Sequence, residues 1–165
     1  MKKKERIGVY PGTFDPITYG HIDVVRKSLS ILDRVVIAVA SDTPKRCIFT
    51  PEERRKMIQG IFKADARVSV EIFPGLLVDF LRERQLKIII RGLRAVSDFE
   101  YEFQMATTNQ VMFPSVETIF FVPRAEFFYM SSSLVKEIAR LGGTVSAFVP
   151  DSVERALKLK YSQTK

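Results

Sequence analysis

A doubly wound α/β fold is the prediction for this chain, with a five-stranded, mainly parallel sheet and helices on both faces. Three observations carry it. Short apolar runs alternate with amphipathic helical patterns along the chain, which implies strand–helix–strand units. The run Val35-Val36-Ile37-Ala38-Val39-Ala40 is continuously apolar, as a strand buried on both faces must be. Polar and glycine-bearing segments recur just after the strand patterns, where sheets of this kind bind ligands.

The first strand pattern covers residues 7–10 and leads through a Gly- and Pro-rich turn into a helical pattern over 20–32. Strand two is 35–40. Thr50-Pro51-Glu52-Glu53 then opens a helix running to residue 62: an N-cap, a proline at the first position and a carboxylate three residues on. Strand three is 68–73, followed by a helix over 76–84. Strand four is 87–91, and a long helical pattern over 97–113 stops before Pro114. Strand five is 116–122. A helix over 131–141 ends at Gly142-Gly143, a good C-cap, and the last helix runs from Pro150-Asp151 to residue 161. This order is Rossmann-like. We expect a single domain over 1–165, with 1–5 and 162–165 frayed.

At 165 residues the chain is long enough for a sizeable core, and 46% hydrophobic with 27% charged residues is the balance of a soluble globular protein. No apolar stretch approaches the roughly 20 residues of a membrane span. Lys2-Lys3-Lys4 resembles the start of a signal peptide, but the apolar run after it is short and meets Pro11, so a cytoplasmic location is expected. The lone Cys47 cannot form an internal disulfide, and no Cys/His cluster offers a zinc site. The net charge of +7 suits an anionic ligand. Nucleic-acid binding would call for a basic stripe interleaved with aromatics; the 13 phenylalanines instead fall mainly in apolar runs.

Five post-strand segments carry candidate chemistry. After strand one, Gly20-His21 opens a helix and carries the chain's only histidine. Helix-start amides and the positive dipole end favour an anion there, and the imidazole Nε2 is placed to donate to a phosphate; a structural histidine is the alternative. The Thr13 hydroxyl either positions a second phosphate or caps its own turn, and Asp15-Pro16 reads as a turn initiator. After strand two, Lys45 offers a long cation to charge developing on a transferring phosphoryl group, or is an ordinary exposed lysine. Gly75 to Leu77 follow strand three. After strand four, Arg91-Gly92-Leu93-Arg94 presents two guanidinium forks suited to two phosphates; ion pairs with Asp98, Glu100 or Glu102 are the alternative. After strand five, Ser131-Ser132-Ser133 offers hydroxyls and helix-start amides, with Lys136 one turn on.

Thr18-x-Gly20-His21 has the form of the T/H-x-G-H signature of nucleotidyltransferases. With Tyr10-Pro11-Gly12-Thr13-Phe14-Asp15-Pro16 before it, the segment 90–102 and Ser131-Ser132-Ser133-Leu134-Val135-Lys136-Glu137, the chain resembles the bacterial phosphopantetheine adenylyltransferases from Tyr10 to about Ala156. The resemblance implies transfer of the adenylyl group of ATP to 4′-phosphopantetheine, giving dephospho-coenzyme A and pyrophosphate in coenzyme A biosynthesis. It implies magnesium (Mg2+) carried with ATP, a homohexamer and feedback inhibition by coenzyme A, with no nucleic-acid or membrane partner. Position by position, it implies that ATP meets Thr13, Phe14, His21, Gly92, Leu93, Arg94 and Glu102, together with Phe127, Phe128, Tyr129, Met130, Ser131, Ser132 and Ser133. It implies that phosphopantetheine meets Thr13, Lys45, Leu77 and Arg91. Asp42-Thr43-Pro44 and Phe127-Phe128-Tyr129-Met130 depart from the family's usual loop and aromatic approach.

A phosphate acceptor is already anionic near neutral pH, so direct in-line attack on the α-phosphorus needs no general base and no covalent intermediate. His21, Lys45 and Arg94 are the expected catalytic residues, stabilising the transition state. Two rivals remain at this level: a nucleotidyltransferase with another acceptor, such as nicotinamide mononucleotide or a sugar phosphate, and a non-catalytic nucleotide- or nucleic-acid-binding module.

Overall fold

The structure, a computed structural model, describes residues 5–44, 46–94 and 96–162, the side chains of Val96 and Ser97 aside. Its sheet holds five parallel strands in the order β3-β2-β1-β4-β5: β1 Ile7–Gly12, β2 Arg34–Ala40, β3 Val68–Phe73, β4 Ile88–Gly92 and β5 Glu117–Phe121. The helices are α1 Tyr19–Ser28, α2 Pro51–Phe62, α3 Leu77–Glu83, α4 Val96–Met112, α5 Ser132–Arg140 and α6 Asp151–Ser162, with a 3-10 turn at Ala125–Phe127.

The central strands show why one sequence can bury both faces of a sheet. Val35, Ile37 and Val39 enter a core under α1, α2 and α6, with Tyr10 of β1 and Ile90 of β4. Val36 and Ala38 point the other way, joining Val9, Ile89 and the α3 residues Phe80 and Leu81. Alternation on a strand sends neighbours to opposite faces, so an unbroken apolar run is what two cores demand.

Local signals ended most elements where expected. At α2, Glu53 N–H donates to Thr50 Oγ1 at 3.2 Å while Thr50 N–H donates to Glu53 Oε2 at 2.8 Å, the reciprocal pair the sequence implied. At the end of α5, Gly142 takes a left-handed φ of 82° and Gly143 N–H reaches Ile138 O at 2.9 Å. Other boundaries shifted. The first strand continues through Pro11 and Gly12, which pair with Ala38 and Val39 of β2. The first helix ends at Ser28 rather than residue 32: the Ser28 hydroxyl donates back to Val24 O at 2.8 Å, and the chain turns toward Asp33. Both faces being filled, such shifts follow from pairing and packing that periodicity does not encode.

Strand order reverses between β1 and β4. The chain runs outward from β1 through β2 to β3, then crosses back to β4 and β5. The carboxyl ends of β1 and β4 therefore open a crevice at the topological switch point.

Candidate active site

At that crevice lies a cavity of about 700 Å³. Residues following all five strands line it, including Thr13 and His21, Asp42, Leu77, Arg94 and Ser131, with Arg91 near the end of β4 itself. The convergence expected of five post-strand segments is thus present among the described residues. Lys45 lies outside them.

The β1 segment is held by buried contacts that shape it before any ligand arrives. Phe14 adopts a φ of 51°, uncommon for a residue with a side chain, and its ring is buried against Tyr10 and His21 at centroid distances of 5.3 and 5.2 Å. A Cβ on Gly12 would fall 2.8 Å from that ring, so only glycine leaves room for it. Fully buried Arg54 donates through Nη1 to Thr13 O at 2.6 Å and to Ala40 O at 3.0 Å, and through Nε to Phe49 O at 3.2 Å. It clasps the ends of β1 and β2 together. The Asp15–Pro16 bond is cis.

Asp15 is not a mere turn initiator. Only 3% exposed, it accepts hydrogen bonds from the amides of Ile48 and Phe49 at 3.1 and 2.9 Å and pairs with Lys136 Nζ at 2.7 Å. Turn chemistry at Asp-Pro is a local signal; these partners come from 33, 34 and 121 residues away, which no local reading reaches. Lys136, expected to add charge toward an anion, is engaged with this carboxylate at the edge of the cleft.

His21 stands at the third position of α1. The backbone N–H of Thr18 donates to its Nδ1 at 3.0 Å. An amide has only a proton to give, so Nδ1 is bare and the ring proton of the neutral form sits on Nε2. Burial, and then the positive charges of Arg94 and Arg91, lower the His21 pKa from 6.5 to about 4. The ring is therefore neutral at physiological pH, with one donor hydrogen. Gly20 also lines the cleft; a Cβ there would meet Thr18 Oγ1 and Phe127 Cβ no closer than 3.6 Å, so its missing side chain leaves ligand space rather than relieving a clash.

From β4, Arg91 forms a two-pronged pair with Glu102 of α4 and donates through Nη1 to Pro11 O at 2.9 Å. Arg91 thus makes the ion pair offered as the alternative, with Glu102, and it also lines the cleft. Arg94 pairs with Asp98 at 3.2 Å and reaches Met130 O at 3.3 Å, bridging the β4 and β5 segments. A Cβ on Gly92 would lie 3.1 Å from Val24, so glycine lets α1 approach the strand end. Glu102 and Leu77 line the cavity; Leu93 does not, its N–H being spent on Phe121 O at 2.9 Å.

The β5 segment divides. Met130, Ser131, Ser132 and Ser133 line the cavity, whereas Phe127, Phe128 and Tyr129 do not. Phe127 stacks on Tyr19 at 6.3 Å, and Tyr129 is 89% exposed. Two of the three serines are engaged within the fold: Ser131 caps α5 by accepting from Leu134 N–H at 3.1 Å, and Ser132 donates to Pro16 O at 2.8 Å. Among the described residues no cluster of three His, Cys, Asp or Glu side chains is placed to hold a metal ion. Nor is any helix among them long and apolar enough to cross a membrane.

Sequence reasoning passed over Arg54 and Tyr10 and read Asp15 as a turn residue only. A basic residue inside the amphipathic pattern of α2 gives no hint of burial, so Arg54 had no usable signal; for Asp15 the sequence shows only an Asp-Pro pair, which reads as a local turn.

The cytidylyltransferase-like family model matches residues 9–138. The phosphopantetheine adenylyltransferase of Lawsonia intracellularis (strain PHE/MN1-00) is 49% identical over 162 residues, covering 98% of this chain and 94% of that protein. The phosphopantetheine adenylyltransferase of Aromatoleum aromaticum (strain DSM 19018 / LMG 30748 / EbN1) is 50% identical over 159 residues, covering 96% and 98% respectively. In fold, the chain is similar to a crystal structure of a bifunctional NMN adenylyltransferase/ADP ribose pyrophosphatase from Francisella tularensis, with a TM-score of 0.71 at 17% identity. That match covers 97% of this chain and 52% of the larger protein, so the chain spans about half its length. A Rossmann-like nucleotidyltransferase architecture, a cleft at its switch point and near-half identity across nearly the whole sequence lead to one assignment: the chain belongs to the cytidylyltransferase-like family, among the phosphopantetheine adenylyltransferases.

Proposed function

We propose that this protein is an enzyme that transfers the adenylyl group of ATP to 4′-phosphopantetheine, producing dephospho-coenzyme A and pyrophosphate. One observation carries the reading beyond family membership: a single cleft gathers a neutral Nε2–H donor, two arginines and a serine-rich helix start. Such a set binds phosphate oxygens, and an imidazole that already carries its proton on Nε2 is no base for activating a serine hydroxyl there.

The reaction is a direct displacement. A phosphate oxygen of phosphopantetheine attacks the α-phosphorus of ATP, the bond to the β-phosphate oxygen breaks, and pyrophosphate leaves. The protein supplies position and charge. His21 donates from Nε2 to an α-phosphate oxygen, and Arg94 and Lys45 offset the charge that builds on the transferring group. Thr13, Arg91 and Leu77 seat the acceptor. Phe14, Gly92, Glu102 and the stretch 130–133, which line the cavity, seat the nucleotide. Magnesium enters with ATP, held by the triphosphate and water.

The proposal extends to a cytoplasmic setting, a homohexamer and inhibition by coenzyme A. The exposed Phe99, Tyr101, Phe103 and Val111 on α4 support assembly, since so much apolar area on one helix favours a protein partner. Incubation with Mg-ATP and phosphopantetheine, followed by mass detection of dephospho-coenzyme A, tests the reaction. Pyrophosphate release only with a different acceptor, such as nicotinamide mononucleotide, would replace the assigned substrate.

A further inference from the structure

Tyr10 has a hydroxyl that the fold does not use. The residue is 6% exposed and packs within the apolar cluster of Phe14, Ile22 and Val24. A phenylalanine would fill that space equally well. Yet Tyr10 also lines the cleft, two residues before the last residue of β1 and beside the switch point. Its oxygen lies 3.6 Å from where a Cβ on Gly92 would stand.

Among the described residues, no hydrogen bond engages this hydroxyl, although no sealed side-chain nitrogen or oxygen is left unpaired. The Tyr10 oxygen is therefore open to the cleft. A buried phenol normally finds a partner. The groups around the opening are donors or cations: Arg91, Arg94 and the imidazole of His21, whose ring centroid is 6.4 Å from that of Tyr10. Of the carboxylates beside these cations among the described residues, Glu102 is matched by the two-pronged contact of Arg91 and Asp98 by Arg94. A spot so supplied calls for an anionic acceptor.

We propose that Tyr10 is a ligand-binding residue of the cleft, its hydroxyl donating a hydrogen bond to a phosphate oxygen of a bound substrate. Burial holds the phenol above its ordinary pKa, so it stays a donor throughout the neutral range. The inference rests on the proposed reaction only for the identity of the phosphate compounds.

The test is Tyr10→Phe, which deletes one oxygen and keeps the ring. Binding of Mg-ATP alone and of phosphopantetheine alone is measured by calorimetry for both proteins, alongside thermal melting. A weakening of about three- to tenfold for one ligand, with melting nearly unchanged, is the result expected of one lost hydrogen bond. The ligand affected identifies whose phosphate Tyr10 meets. Affinities within 1.5-fold for both ligands, or equal weakening of both with a lowered melting point, would overturn the proposal. Should Tyr10→Phe not fold, wild-type protein labelled with [ζ-13C]tyrosine replaces it. The Tyr10 resonance is then assigned by replacing the other four tyrosines singly with phenylalanine, and its failure to move with either ligand would refute the contact. Wild-type protein that binds Mg-ATP but makes no dephospho-coenzyme A would refute the proposed reaction and leave the Tyr10 comparison intact.

Discussion

The amide of Thr18 holds Nδ1 of His21 at 3.0 Å, and this contact selects the tautomer of the chain's only histidine. The helix cap and the reactive group are the same device: a residue at the third helical position normally reaches back to the cap to steady the helix, and here the group that reaches back is an imidazole. Its other nitrogen is left with the ring proton, on a residue that lines the cleft.

Removing that donor should separate catalysis from folding. His21→Ala is expected to lower turnover by about a hundredfold or more, the usual cost of one transition-state donor. Circular dichroism should remain that of the wild type. Turnover close to wild type, measured as pyrophosphate release, would remove His21 from the mechanism.

The depressed His21 pKa makes stability depend on pH. In the unfolded chain this histidine titrates near 6.5, and in the folded protein near 4. Between those values the unfolded state binds more protons, so stability rises with pH and is lost as pH falls through the window. The slope from one such group cannot exceed about 1.4 kcal/mol per pH unit, and solvent in the cleft reduces it. Glu53, whose pKa is lowered chiefly by its hydrogen bond from Lys160, adds its own loss only at more acidic pH. Urea titrations at about pH 5 and 6.5 should therefore differ for the wild type and converge for His21→Gln.

Glu102 and Arg91 are coupled, so damage to one strands the other. Glu102→Gln leaves the half-buried Arg91 without its counter-charge. We expect a loss of about 1–3 kcal/mol, less than for a fully buried pair because the Arg91 side chain keeps some exposure to solvent. In a chain of this length that lowers Tm by several degrees. The apparent affinity for substrate should fall as well, because the same guanidinium lines the cleft. An unaltered KM with a lowered Tm would restrict the pair to a structural role.

Asp15 offers the sharper stability test. Asp15→Ala abandons two amides and the Lys136 ammonium at a carboxylate that is only 3% exposed, at the edge of the cleft. Breaking a buried pair in this way typically costs about 3–5 kcal/mol. Denaturant unfolding should show that loss, and Asp15→Asn, which keeps acceptor capacity for the amides, should recover part of it. A cost below about 0.5 kcal/mol, the range of ordinary surface changes, would contradict the role assigned here.

Much of this protein is written locally. The alternation of strand and helix patterns, the Thr50–Glu53 cap and the Gly142 stop are all short-range chemistry, and each was recovered in the structure. The strand-end and post-strand positions of Thr13, His21, Arg91, Arg94 and Ser131 likewise follow once a parallel sheet is assumed, because chain direction puts every such segment on one rim. What the sequence by itself determined is therefore the order of elements and the chemical character of that rim. Tertiary structure alone decided which neighbours each rim residue has. Asp15 became a buried anchor, Arg54 a clasp on Thr13 and Ala40, and Phe127 a partner of Tyr19 rather than a wall of the cleft. The physical reason is range: caps and turns are satisfied within a few residues, whereas burial and charge pairing are settled between segments that meet only after the sheet has formed.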